Sequence, residues 1–136
     1  MKDLTIEKRI PTFSDYQRLR EAVGWAITPV VTTKIALNNS LFSICVISEN
    51  ETVGIGRIVG DDGLYFYIQD VIVLPKYQRQ GIGTLIMNEL TAYLDNKCAK
   101  ETFVGLKSAE GLISFYEKFG FSAQIEDITG IFMVRN

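Results

Sequence analysis

Histidine is absent from this chain, and cysteine occurs only twice. Without an imidazole there can be no His-centred catalytic triad and no Cys2His2 zinc site. Cys45 and Cys98 stand far apart and form no CxxC pair, so they read as structural or incidental thiols in a reducing cytoplasm. Proline is scarce as well. Pro11, Pro29 and Pro75 each fall between periodic segments, where they punctuate the chain without dividing it. No apolar run approaches the roughly 20 residues needed to span a bilayer, and Met1-Lys2-Asp3 does not lead into an apolar signal segment, so no membrane partner is expected. Nor does charge of one sign dominate: 14 Lys+Arg against 16 Asp+Glu give a net charge of −2. A general nucleic-acid-binding module should be basic, so nucleic acid is not an expected partner.

What the chain does have is a globular balance, 47 % hydrophobic and 22 % charged over 136 residues. That length fits one domain, residues 1–136, and buries roughly two-thirds of the unfolded surface without needing disulfides or a metal. Thr5–Ile10 reads as a strand. Ser14 is a candidate N-cap for a helix carrying Tyr16, Leu19 and Val23, and Thr32–Asn39 reads as a second helix. Leu41–Ile47 and Thr52–Ile58 read as strands joined by a polar turn. Asp61-Asp62-Gly63 is a hairpin signal that delivers the chain into a β-branched and aromatic run, Leu64–Leu74. From Gly81 the period changes to 3.6, with Ile82, Leu85, Ile86, Leu90, Tyr93 and Leu94 on one helical stripe. Phe103–Leu106 is a buried strand, and Leu112, Phe115, Tyr116 and Phe119 mark a helix that stops at Gly120. Strands near Ser122–Ile125 and Ile131–Val134 close the chain. The pattern predicts an α/β (α+β) domain with about seven strands and four helices, mostly antiparallel, with one right-handed β-α-β crossover.

The chemistry concentrates where the strand through Val71-Ile72-Val73-Leu74-Pro75 passes into Gln78-Arg79-Gln80-Gly81-Ile82-Gly83-Thr84. The first N–H groups of a helix have no internal partner, and its dipole adds positive potential there. Gly81 and Gly83 remove side chains that would hold an anion away from those donors. From Asp70 to Glu89 no carboxylate intervenes, while Lys76 and Arg79 lie in the gap. A phosphate or pyrophosphate suits such a place. The alternative is a packing device: glycines that let the helix approach its neighbours, with two solvated cations nearby. The string GxxxxGK[ST] is absent, and Ile86 stands where a dinucleotide fingerprint needs a small residue.

Gln78-Arg79-Gln80-Gly81-Ile82-Gly83 resembles the Q/R-x-x-G-x-G/A signature of the GNAT superfamily of acyl-CoA-dependent N-acetyltransferases. Ser114-Phe115-Tyr116-Glu117-Lys118-Phe119-Gly120-Phe121 resembles the family's second hallmark helix. The two occur in the family's order, so the resemblance spans nearly the whole chain. It implies acetyl-CoA or coenzyme A as co-substrate and no metal. Backbone amides from Gln80 through Gly81, Ile82, Gly83 and Thr84 would hold the pyrophosphate, with Gln78 and Arg79 shaping the loop. The segment Val71-Ile72-Val73 would pair with the pantetheine arm where two parallel strands splay, and an N–H there would stabilise the oxyanion. Tyr116 matches the general acid that protonates the departing thiolate. Lys118 would reach a coenzyme phosphate, the alternative being a solvated charge on the helix. The family's usual Asn, seven residues before the Tyr, is Ala109 here, which leaves Ser108 or Lys107 for that contact.

The acceptor expected is a primary amine of a small molecule, although nothing in the sequence separates a polyamine, an aminoglycoside-like amine, an amino acid or a protein N-terminus. The amine must lose a proton before it attacks. Asp70 and Glu21 are the carboxylates to consider as base. By strand alternation Asp70 points away from the face of Tyr67, Gln69 and Val71 unless a bulge re-aims it, which favours a structural role, and no base is assigned. Trp25 stands in the connection that lines the family's acceptor pocket. A non-catalytic acyl-CoA sensor with the same fold is the alternative function, and a homodimer is in keeping with the family.

Overall fold

Alternating and helical periods place eleven elements along the chain. The computed structural model, which describes residues 3–127 and 130–135 (backbone alone for 124–127 and 130–132), contains them in the expected order. They are β1 (Thr5–Glu7), α1 (Phe13–Ala22), α2 (Val30–Asn38), β2 (Phe42–Ser48), β3 (Glu51–Gly60), β4 (Tyr65–Val73), α3 (Ile82–Lys97), β5 (Phe103–Ser108), α4 (Ile113–Glu117), β6 (Phe121–Asp127) and β7 (Gly130–Arg135). The strands form one sheet in the order β1-β2-β3-β4-β5-β7-β6. All neighbours are antiparallel except β4 and β5, which run parallel with α3 as their crossover.

Local chemistry moves several boundaries. The cap of α1 is Thr12, whose hydroxyl accepts the Asp15 N–H at 3.1 Å, so Ser14 lies inside the first turn. α2 starts at Val30 because Pro29, with φ −63°, serves as its N-cap. β1 ends at Glu7, before Arg9 turns in to place its Nη1 3.6 Å from the Cys45 sulfur. Two hairpins order the centre of the sheet. Glu49 and Asn50 take φ of 50° and 63°, the two positive values of a type I′ turn. Asp61 Oδ1 accepts the N–H groups of Gly63, Leu64 and Tyr65, which pins the entry to β4.

Most of the core lies between α3 and β2, β3 and β4, with Ile82, Ile86, Leu90 and Leu94 fully buried. Each such side chain contributes about 1.5–3 kcal/mol of hydrophobic stabilisation. β3 presents bare backbone to this helix. A Cβ on Gly56 would stand 2.6 Å from Ile86 Cγ2, and one on Gly54 3.1 Å from Ile82 Cγ2. Arg57 points to the other face, where its Nη1 donates to Ser40 Oγ at 3.2 Å and to Ala36 O at 3.4 Å. α1 also packs against β3 and β4. The two faces therefore do different jobs: α3 stabilises the sheet, and the α1–α2 side frames a polar region beside β4.

Candidate active site

Strand β4 carries one residue too many for its partner. Ile55 pairs with Ile72 and Arg57 with Gln69, so Gly56 alone faces Asp70 and Val71. This bulge reverses the parity of every residue beyond it. Val73 pairs with Gly54 on the α3 side, while Asp70 reaches the α1 side. Simple alternation is thus corrected: the bulge re-aims Asp70. Its φ of 54° is left-handed, a region Asp tolerates better than most residues.

On that face the Asp70 side chain is 4 % exposed and surrounded by donors. Tyr16 Oη donates to Oδ2 at 2.8 Å, and Arg57 Nε donates to the same oxygen at 2.8 Å. Arg20 Nη1 lies 3.5 Å from Oδ1. Burial first, and then the Asp70 charge, pushes the Tyr16 phenol above its ordinary range, so it remains a donor. Oδ2 thus accepts two hydrogen bonds, while Oδ1 faces Arg20 in an ion pair, and Asp70 also lines one of the cavities described below. Glu21 sits in an exposed groove with Phe13, Ser14, Gln17 and Arg18, apart from the cavities described next.

The parallel pairing of β4 with β5 ends at Ile68 and Leu106. Beyond it β4 continues through the bulge, while β5 stays paired with β7 as far as Ser108. Two cavities open at this splay. The larger, of about 560 Å³, runs from Val71 and Val73 past Gln78 and Arg79 to Gly81, Gly83 and Thr84 at the start of α3. The smaller, of about 320 Å³, lies between Trp25 and the strand residues Ile68–Val71 and Leu106–Ser108. Val71, Leu112 and Tyr116 line both.

The loop into α3 is held in shape by its own side chains. After a 3-10 turn at Pro75–Tyr77, Gln78 Nε2 donates to Val73 O at 3.0 Å and Gln80 Nε2 to Lys76 O at 3.2 Å. Arg79 and Gly81 take φ of 65° and 85°. Gly81 is the N-cap of α3, with no side-chain cap and no acidic residue in the first turn. The leading N–H groups therefore keep their capacity for an external acceptor. The Gln78 amide adds a competitor, since it already occupies a carbonyl of the segment implied to pair with pantetheine.

Tyr116 is 7 % exposed, and burial alone raises its phenol above the ordinary value, which keeps it protonated. Phe115 packs edge-on against it at 5.1 Å between centroids. The same Phe115 ring lies 3.4 Å from where a Cβ on Gly83 would stand, so α4 rests on the first turn of α3.

The remaining residues named from sequence separate. The side chains of Ile72 and Ile82 are core, leaving only their backbone for a ligand. Ser108 is 0 % exposed, its hydroxyl donates to Ala109 O at 2.9 Å, and it lies along the smaller cavity, away from the glycine loop. Lys118 is exposed and lines neither cavity. Trp25 does line the smaller one, with Arg20 stacked 5.4 Å above its ring. Leu112, on the apolar stripe that marks the helix before Gly120, is 41 % exposed at the junction. Its place one residue before so short a helix was the available signal.

Residues 40–123 match the family model described as acetyltransferase (GNAT) domain. Over 122 residues the chain is 32 % identical to the uncharacterized N-acetyltransferase ycf52 of Porphyra purpurea, covering 87 % of this chain and 69 % of that one. The crystal structure of SA2161 from Staphylococcus aureus superposes with a TM-score of 0.87 at 32 % identity, covering 94 % of this chain and 96 % of that one. The GNAT family protein SP0256 from Streptococcus pneumoniae gives a TM-score of 0.73 at 38 % identity, covering 89 % of each.

Proposed function

Because the chain belongs to the GNAT family of acetyltransferases, we propose that it moves an acetyl group from acetyl-CoA to the primary amine of a small molecule by direct attack. The observation that carries this reading is the meeting of two cavities at Val71 and Tyr116. The larger runs to an uncapped helix start flanked by Arg79, which suits a pyrophosphate. The smaller, at about 320 Å³ and walled by Trp25, has the size of a small-molecule site.

In this reading the first-turn amides from Gly81 to Thr84 hold the diphosphate, and the pantetheine arm follows β4 to the junction. The Val71 N–H polarises the thioester carbonyl and stabilises the oxyanion that forms on attack. The neutral amine enters from the Trp25 side. A C–N bond forms and the C–S bond breaks. The thiolate takes a proton from Tyr116, whose burial keeps that proton available. The amine's own proton leaves through solvent in the smaller cavity, since the Asp70 carboxylate is already paired with Arg57 and Arg20.

The test is thermal unfolding with acetyl-CoA and with coenzyme A, followed by thiol release over a panel of small amines. A ligand at about 100 times its Kd stabilises by about 2.7 kcal/mol, a shift easily read. Stabilisation with thiol release is the expected outcome. Stabilisation without release from any amine would favour the acyl-CoA sensor, and no stabilisation at all would remove the coenzyme from the site.

A further inference from the structure

We propose that Asp70 is a positioning residue for acyl transfer: clamped by Tyr16, Arg57 and Arg20, it fixes the β4 bulge and thereby the Val71 N–H at the junction of the two cavities. This rests on the acetyl-transfer reading and extends it to residues that act through the Val71 N–H.

Three observations converge on Asp70. Its backbone is left-handed at φ 54°, in a bulge whose next residue is Val71. A non-glycine residue persists in that region only where its surroundings over-determine it, and such positions gather at functional sites. The surroundings here are explicit. Donors at 2.8 Å come from Tyr16 on α1 and Arg57 on β3, and Arg20 on α1 adds an ion-pair contact at 3.5 Å.

The donors are themselves tied down. Arg57 also donates to Ser40 Oγ and Ala36 O, and Arg20 Nε donates to Ala26 O at 3.0 Å. The Arg20 guanidinium lies between the rings of Tyr16 and Trp25, at 5.6 and 5.4 Å from their centroids. A buried carboxylate with two guanidinium groups is no efficient way to stabilise a fold, since apolar residues of similar volume often do as well or better. What this cluster supplies is direction: it locks the bulge from two elements and links it to the wall of the smaller cavity.

The variants are Tyr16→Phe and Arg57→Lys, which keep ring and charge respectively while loosening the clamp. Both are expected to lower kcat by about tenfold, since a displaced oxyanion donor loses part of its effect. Coenzyme A affinity should stay within about twofold, because the glycine loop is untouched. Calorimetry supplies a reading that needs no acceptor. Affinity for acetyl-CoA should fall about 3–10-fold, the worth of one weakened hydrogen bond, while coenzyme A, which has no acyl carbonyl, binds as before. Asp70→Asn should lower kcat without removing the acidic limb of the kcat/KM pH profile.

Unchanged kcat and unchanged acetyl-CoA affinity alongside a lower unfolding midpoint would overturn the proposal in favour of a purely structural cluster. Loss of the acidic limb in Asp70→Asn would overturn it in favour of a base. Failure of the family reading looks different, because the unmodified protein would then bind neither acetyl-CoA nor coenzyme A.

Discussion

Val71, on β4, and Tyr116, on α4, line the same two cavities. One offers backbone at a bulge and the other a buried phenol, so in the proposed transfer the two groups that would act on opposite ends of the breaking thioester bond come from different elements. Tyr116→Phe keeps the ring packed against Phe115 and Phe121 and removes only the proton. Turnover should fall by about 100-fold or more, the usual worth of a positioned general acid. Coenzyme A affinity should change little. Steady-state thiol release and calorimetry together check this, and unchanged turnover would exclude Tyr116 from the mechanism.

Gly81 has φ 85°, and a Cβ there would meet nothing within 4 Å. Gly81→Ala therefore introduces no clash, only the left-handed penalty of about 1–2 kcal/mol. Denaturant unfolding should show that loss. If the loop relaxes to escape it, acetyl-CoA binding weakens in the same variant, because the donor array of α3 begins at this residue.

Gly56→Ala tests the packing that supports the bulge. Its Cβ would stand 2.6 Å from Ile86 Cγ2 and 3.1 Å from Leu90 Cδ1. Overpacking of this kind costs about 1–3 kcal/mol. In a double-mutant cycle with Ile86→Ala, the cost of Gly56→Ala should shrink, since the obstructing methyl is gone.

Alkaline pH should destabilise the fold by a traceable route. Burial pushes the Cys45 thiol up to about 11, and it raises the Tyr16 and Tyr116 phenols in the same direction. Between the unfolded and folded values the native state holds a proton that the unfolded chain has released, so stability falls as pH rises. The unfolding midpoint should be level until the pH nears the thiol's ordinary value of 9.0 and decline towards 11. Cys45→Ala should flatten that first part of the decline, judged by slope because the truncation also removes packing.

Much of the fold is legible in sequence because its signals are local. The stripe from Ile82 to Leu94, the Asp61 turn and the glycines at 81 and 83 each announce their role within a few residues. The uncapped start of α3 follows from the same short range. Asp70 shows the limit. Its direction depends on Gly56 across the strand pair, and its partners Tyr16 and Arg57 lie 54 and 13 positions away. A bulge is a mismatch between two strands, and neither strand records it alone. Ser108, named in place of the missing Asn, is likewise placed by long-range pairing: β5 lies beside β7 there, and the hydroxyl donates to Ala109 O along the smaller cavity.

Trp25 is the chain's one tryptophan. It lines the smaller cavity, is 39 % exposed, and lies against the Arg20 guanidinium. All indole emission therefore originates at a single wall, free of background from elsewhere in the chain. A compound entering that space would alter the colour or yield of this light, while one confined to the glycine loop would leave it nearly constant. The protein thus carries a built-in optical reporter with which unlabelled amines can be sorted before any turnover is sought.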